Sequence, residues 1–192
     1  MKKPNARERI LETAARLFQE RGFSEVGINE IIEKAETAKA TFYQHFPSKD
    51  SLCEAWLEAI HRRSEEWLKK LRENGGSCRE KAVQYFDFLE KFLEKNDFRG
   101  CPYSNTSAVT CEECGGIRRR IEEHKLAQRD FLRELAAEVS ATGQRACDLG
   151  DTLFLLYSGA TTEAQNLRAI WPIRAARQAA IDLLENEKSK NS

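Results

Sequence analysis

The sequence predicts an all-α protein of about nine helices. Three observations carry this. Apolar residues recur at helical spacing in segment after segment. Stops and caps built from Gly, Pro, Ser and Asn fall between those segments. Runs of β-branched residues are scarce, and the chain of 192 residues holds four prolines and ten glycines.

A first helix is expected over roughly 5–21. Its stripe is Ile10, Leu11, Ala14, Leu17 and Phe18, and Gly22 suits the position just past its end. Two short helices follow within 27–46. Gly27 can cap the first, which turns Ile28, Ile31, Ile32 and Ala35 inward. In the second, Phe42 and Phe46 lie one turn apart and face inward, which leaves Lys39, Ala40, Tyr43 and Gln44 off that face. Pro47 ends it, because the residue before a proline avoids the α region. Ser48 then caps a long helix to about Glu73, with Leu52, Trp56, Ala59, Arg63, Trp67 and Leu71 near one face and Asn74-Gly75-Gly76-Ser77 as its stop.

Ser77 caps a helix over about 78–95, with Val83, Phe86, Leu89, Phe92 and Leu93 inward. Residues 98–116 hold a turn at Arg99-Gly100, a short helix after Pro102 and a stop at Gly115-Gly116. The next helix, about 117–141, has the stripe Ile117, Ile121, His124, Gln128, Phe131, Leu135 and Val139. Helices over about 146–168 and from Pro172 to about Glu187 complete the chain, the last with Ile173, Ala176, Ala180, Leu183 and Leu184 on one face.

Two short helices around a tight turn, the second with an exposed polar and aromatic face, form a helix-turn-helix signature. The stretch AETAKATFYQHFPSKDSL resembles the end of the DNA-binding domain of the tetracycline-repressor (TetR) family, whose pattern is approximately AGVSKGTLYHHFPSKEEL. Ala35, Lys39, Thr41, Tyr43, His45, Phe46, Ser48, Lys49 and Leu52 match. ARERILETAARLFQERGF, from Ala6 to Phe23, resembles the family's first helix. Three positions depart from the pattern. Glu36 stands where the family has its turn glycine, Thr37 replaces its valine, and Ala38 replaces its capping serine. Thr37 is expected to take over the cap one residue earlier.

The resemblance implies a DNA-binding head over 1–47 and a regulatory body over 48–192 that binds a small-molecule effector and dimerises. The longer helix after Pro47 would link the two, and its tilt would change the spacing of two recognition helices. On this reading the chain is a transcriptional regulator, a repressor released from a palindromic double-stranded operator by its effector. The DNA-facing residues are then Asn29, Thr37, Lys39, Ala40, Thr41, Tyr43, Gln44, His45 and Lys49. By resemblance Thr41, Tyr43 and Lys49 hold phosphates. Lys39 can bond a guanine edge or a phosphate, and Ala40 allows close approach or touches a thymine methyl.

Charge adds little, because Lys+Arg and Asp+Glu both number 31. Residues 1–49 carry nine basic against seven acidic side chains. A positive footprint must therefore come from placement, with Lys2, Lys3, Lys39 and Lys49 as contributors. No run of 18 apolar residues predicts a membrane span, the N-terminus lacks the apolar core of a signal peptide, and a cytoplasmic protein is expected. Its six cysteines should then be reduced.

No nucleophile elbow, phosphate loop or zinc-protease motif is present. The expectation is a non-enzyme that needs no cofactor. His124 and Gln128 are polar positions in an apolar stripe. They sit at a helix edge, are satisfied in a core, or line an effector cavity with Phe86, Cys101, Tyr103 and Tyr157. Cys111-Glu-Glu-Cys114 is a C-x-x-C pair, but a second such pair is absent, so no metal site is assigned. A thiol- or metal-responsive regulator acting through Cys111 and Cys114 is an alternative, and a helical enzyme or scaffold is another. Small residues on the last two helices suit close helix packing, and Gly159, Ala160, Ala176, Ala180 and Leu183 are the candidate residues of a two-fold interface.

Overall fold

The computed structural model describes residues 4–110 and 114–191, all of them helical or connecting, with no strand among them. Lys2, Lys3 and Cys111 lie outside the described residues. Local chemistry sets most helix ends. α1 (Ala6–Arg21) opens on a capping box, in which the Asn5 side chain accepts from the Glu8 N–H and the Glu8 carboxylate accepts from the Asn5 N–H. It closes at Gly22, whose φ of 96° suits a residue without a Cβ. α2 (Ile28–Lys34) starts after Gly27 and α3 (Lys39–His45) after Ala38. Ala38 makes no side-chain cap, and Thr37 does not supply one. α3 starts one residue later than that expectation requires, so Thr37 lies in the turn itself.

α4 (Lys49–Glu73) follows a reciprocal cap between Ser48 and Ser51. α5 (Cys78–Lys95) opens on a Ser77–Glu80 capping box. α6 (Pro102–Ser107) is short, and α7 runs Gly115–Ala137. The expected stop at Gly115-Gly116 is therefore a helix start. A Cβ on Gly116 would meet the Glu54 carboxylate of α4, the flexible end of a side chain. α8 (Gly143–Leu167) is capped by Thr142, and α9 (Trp171–Lys190) carries Pro172 in its first turn. No helix is long and apolar enough among the described residues to cross a membrane.

The described residues divide into two compact units. The first comprises Met1–Arg63 and Pro102–Glu123. In it α1 packs on α2 and α3. Ile10, Ala14, Leu17, Phe18, Val26, Ile31, Phe42 and Phe46 are buried, and Phe18 meets Trp56 of α4 edge-on at 5.3 Å. The second unit comprises Ser64–Cys101 and His124–Ser192. There α9 packs on α5 and α8 around Phe86, Leu89, Leu93, Phe131, Leu135, Leu153, Ile173 and Leu184. Each such side chain stabilises the fold by about 1.5–3 kcal/mol. The inward face of α5 includes Ala82 and Tyr85, with Val83 at its edge.

Candidate nucleic-acid interface and a buried polar cluster

Residues with opposite tasks alternate along α3. Phe42 and Phe46 are buried and anchor the helix on α1, while Lys39, Ala40, Tyr43 and Gln44 are exposed. Thr41 and His45 are half-buried at its margins. Asn29 is exposed on α2, and Thr37 is half-buried in the turn. The Tyr43 ring leans edge-on against Phe42 at 5.4 Å, which orients its hydroxyl end outward.

The turn between α2 and α3 is held from α1. Glu36 has φ 50°, a left-handed conformation that a residue with a Cβ adopts only at a cost. The Arg9 guanidinium donates to the carbonyls of Ala35 at 3.2 Å and Glu36 at 3.3 Å. These are the backbone acceptors that end α2, and a cation there also suits the helix C-terminus. Sequence reasoning counted Arg9 only as charge, because its partners lie 26 and 27 residues away.

The basic side chains of the head have different fates. Arg21 and Lys34 both bond Glu30, and these contacts hold the Glu30 carboxyl down at about 2. Arg7 lies over the Phe46 ring at 5.2 Å. Lys49 rests over the Phe23 ring at 4.5 Å and donates to the Ser24 carbonyl at 3.4 Å, and burial lowers its pKa. Among the described residues Lys39 has no ionic partner, so its charge is displayed to whatever meets α3.

In the second unit a polar group sits inside the aromatic core. Tyr85 and Tyr157 lie 4.6 Å apart, with Phe131 5.1 Å from Tyr85 and Phe86 5.7 Å from Tyr157. His124 and Gln128 are both buried. The Tyr85 hydroxyl is close to Tyr157 and Gln128, yet neither it nor Gln128 Oε1 completes a hydrogen bond. Burial pushes both phenols well above the ordinary tyrosine range. Lys125 Nζ lies 3.6 Å from Cys101 Sγ at the edge of this group. Of the six candidate effector residues, Phe86, Cys101, His124, Gln128 and Tyr157 fall in this unit. Tyr103 falls in the first, where its hydroxyl donates to the Leu57 carbonyl at 2.7 Å. Tyr85 was missed because its place in the α5 stripe was given to Val83.

Cys114 has the wrong neighbour for a reactive thiol, since its Sγ sits 3.5 Å from the Asp50 carboxylate as donor. No group of three or more His, Cys, Asp and Glu among the described residues is placed to hold a metal ion. The interface candidates also separate. Ala160, Ala176 and Ala180 are buried within the chain itself, where their small size lets α8 and α9 approach their neighbours. They serve as packing residues within the chain. Leu183 is half-buried and Gly159 exposed. The large apolar side chains displayed on these helices are Leu155, Leu167 and Trp171, which are 54–67% exposed.

Comparison with known proteins bears on the first unit most directly. Residues 10–56 match the family described as bacterial regulatory proteins, tetR family. The HTH-type transcriptional repressor NemR of Escherichia coli strain K12 is 25% identical over 182 residues, which span 90% of each chain. The HTH-type transcriptional regulator LmrA of Bacillus subtilis strain 168 is 28% identical over 172 residues, covering 82% of this chain and 90% of that one. Among solved structures, a TetR-family transcriptional regulator from Streptomyces coelicolor superposes with a TM-score of 0.80 at 25% identity, over 96% of this chain and 95% of that one.

Proposed function

Because the chain belongs to the TetR family of DNA-binding transcriptional regulators, we propose that it is a repressor that grips a palindromic operator as a dimer and lets go when its second unit binds an effector. The observation that carries this is α3, anchored by Phe42 and Phe46 while it displays Lys39, Ala40, Tyr43 and Gln44. A helix so held can enter a major groove without repacking its core. Lys39 and Gln44 have the donors for base edges, Ala40 lets the backbone come close, and Thr41 and Tyr43 have hydroxyls for phosphates. Asn29, Thr37 and His45 flank that surface. Lys49 swings from the Phe23 face to a phosphate, exchanging one weak site for a charge-assisted bond.

The dimer faces are α8 and α9. Leu155 and Gly159 lie one turn apart on α8, and Trp171 stands exposed at the start of α9. A second copy would cover this apolar stripe and place two copies of α3 one helical turn of DNA apart. The effector binds in the second unit near Tyr85, Gln128 and Tyr157, and it acts only through a difference in affinity between two conformations. The functional boundary of the head is residue 47.

Band retardation on DNA upstream of the protein's own coding sequence tests this. The wild type forms a saturable complex there at concentrations at which unrelated DNA is retarded only weakly. Lys49→Ala weakens binding to both and lowers the salt slope by about one. Equal retardation of operator and unrelated DNA would reject the reading.

A further inference from the structure

We propose that Arg7, in the first turn of α1, is a phosphate clamp of the head, held beside α3 by the ring of Phe46. The inference rests on the reading of the first unit as a DNA-binding head. It adds a backbone contact from α1 to those of α3 and Lys49.

Most cations of the head are spent within it. Arg16 pairs with Glu20, and Arg21 and Lys34 share Glu30. Arg9 donates to the carbonyls of Pro4, Ala35 and Glu36. Lys49 donates to the Ser24 carbonyl. A cation beside its own carboxylate adds little to the field outside the protein.

Arg7 is treated differently. It is exposed, and among the described residues it has no carboxylate and no carbonyl as partner. The carboxylate next to it in the chain, Glu8, is taken by the Asn5 N–H in the capping box. What holds Arg7 is the Phe46 ring, whose centroid lies 5.2 Å from the guanidinium carbon. A ring attracts a cation through its quadrupole and does not cancel the charge. The N–H donors of the guanidinium stay available to another partner.

The platform is fixed and well placed. Phe46 is buried, and its ring lies 6.3 Å from that of Phe42, against which Tyr43 leans. Tyr43 and Phe46 are three residues apart, which makes them neighbours along the helix surface. Arg7 therefore stands at the end of α3 that carries the Tyr43 hydroxyl. A planar fork of donors, unneutralised and held on a rigid ring, suits the paired anionic oxygens of a phosphodiester. Such a contact sets affinity and register and carries no sequence information.

The test uses the intact chain, with its own upstream DNA and an unrelated duplex, titrated across salt. Arg7→Met keeps an apolar chain on Phe46 and removes the charge. The slope of log affinity against log salt should fall by about one on both DNAs, with affinity at about 0.1 M salt lower by on the order of five- to tenfold. Arg7→Lys should restore the slope. Urea unfolding of the same proteins establishes that each is folded. An unchanged slope in folded Arg7→Met, or a lost slope that Arg7→Lys does not restore, overturns the clamp and leaves Arg7 a packing residue of Phe46. The operator reading fails separately. Equal retardation of the two DNAs by wild type, with the slope still lowered in Arg7→Met, supports the clamp and counts against the operator.

Discussion

Glu36 is the residue at which sequence and backbone disagree most openly. The motif asks for a glycine there, and the structure keeps the left-handed backbone with φ 50° although a glutamate occupies it. A non-glycine residue in that region costs about 1–2 kcal/mol. The Arg9 guanidinium offsets it by bonding the two carbonyls at the turn. Glu36→Gly is therefore expected to raise thermal stability by about 0.5–1 kcal/mol, and Arg9→Ala to lower it by about 1–2 kcal/mol. The double variant should be more stable than the sum of the two single effects, because the conformation Arg9 supports is no longer strained. Urea unfolding of the four proteins checks this, and strict additivity would show that Arg9 and the turn are unrelated. The turn conformation was legible from the missing glycine. Arg9 was not, since no local pattern links it to carbonyls 26 and 27 residues away. Tyr85 was hidden differently, because Val83 and Tyr85 both fit a helical face when its exact phase is unknown.

At the scale of helices, capping residues made the chain readable. Ser48 and Ser77 stand where helices begin, and Gly22 stands where one ends. The reading failed at Gly115-Gly116, where two glycines signal a break locally but open α7, with Gly116 against the Glu54 carboxylate and Gly115 facing open space. Gly150 of α8 is a similar case. A Cβ there would lie 2.5 Å from the Arg133 Cα of α7, and backbone cannot step aside as a side chain can. Gly150→Ala is expected to cost about 1–3 kcal/mol by forcing α8 from α7, despite the better helix propensity of alanine. Gly159→Ala, with nothing of its own chain within 4 Å, should leave the unfolding midpoint of the chain level or raise it. Matched urea titrations decide between them, and a Gly150→Ala protein as stable as wild type would mean that the helices have room to move. The pairing of Arg129 and Arg133 with Asp151 ties α7 and α8 beside this contact. It was not legible, because charges on helix faces give no hint of their partners.

A repressor of the proposed kind has to bring two heads to one operator, and the small residues of α8 and α9 expected to serve that task also pack within their own chain. Ala180 is fully buried in its own chain. Ala180→Glu is thus expected to unfold the second unit, as an unpaired buried carboxylate costs several kcal/mol. Leu155→Glu changes a side chain that is 67% exposed, and should give a folded chain that sediments as a monomer and binds operator weakly. A Leu155→Glu protein that stays dimeric would place the interface elsewhere. The family was legible because the stretch AETAKATFYQHFPSKDSL keeps much of its pattern. The interface was not, because small residues mark close packing without saying whether the neighbour is another helix of the same chain. The central claim is that the exposed face of α3 reads the operator. The most direct test is the operator affinity of Lys39→Ala/Tyr43→Ala, whose substitutions lie on exposed positions and spare the Phe42 and Phe46 anchors. A folded double variant that has lost about tenfold or more in affinity is the predicted result. A folded double variant with undiminished affinity and unchanged sequence preference would contradict it.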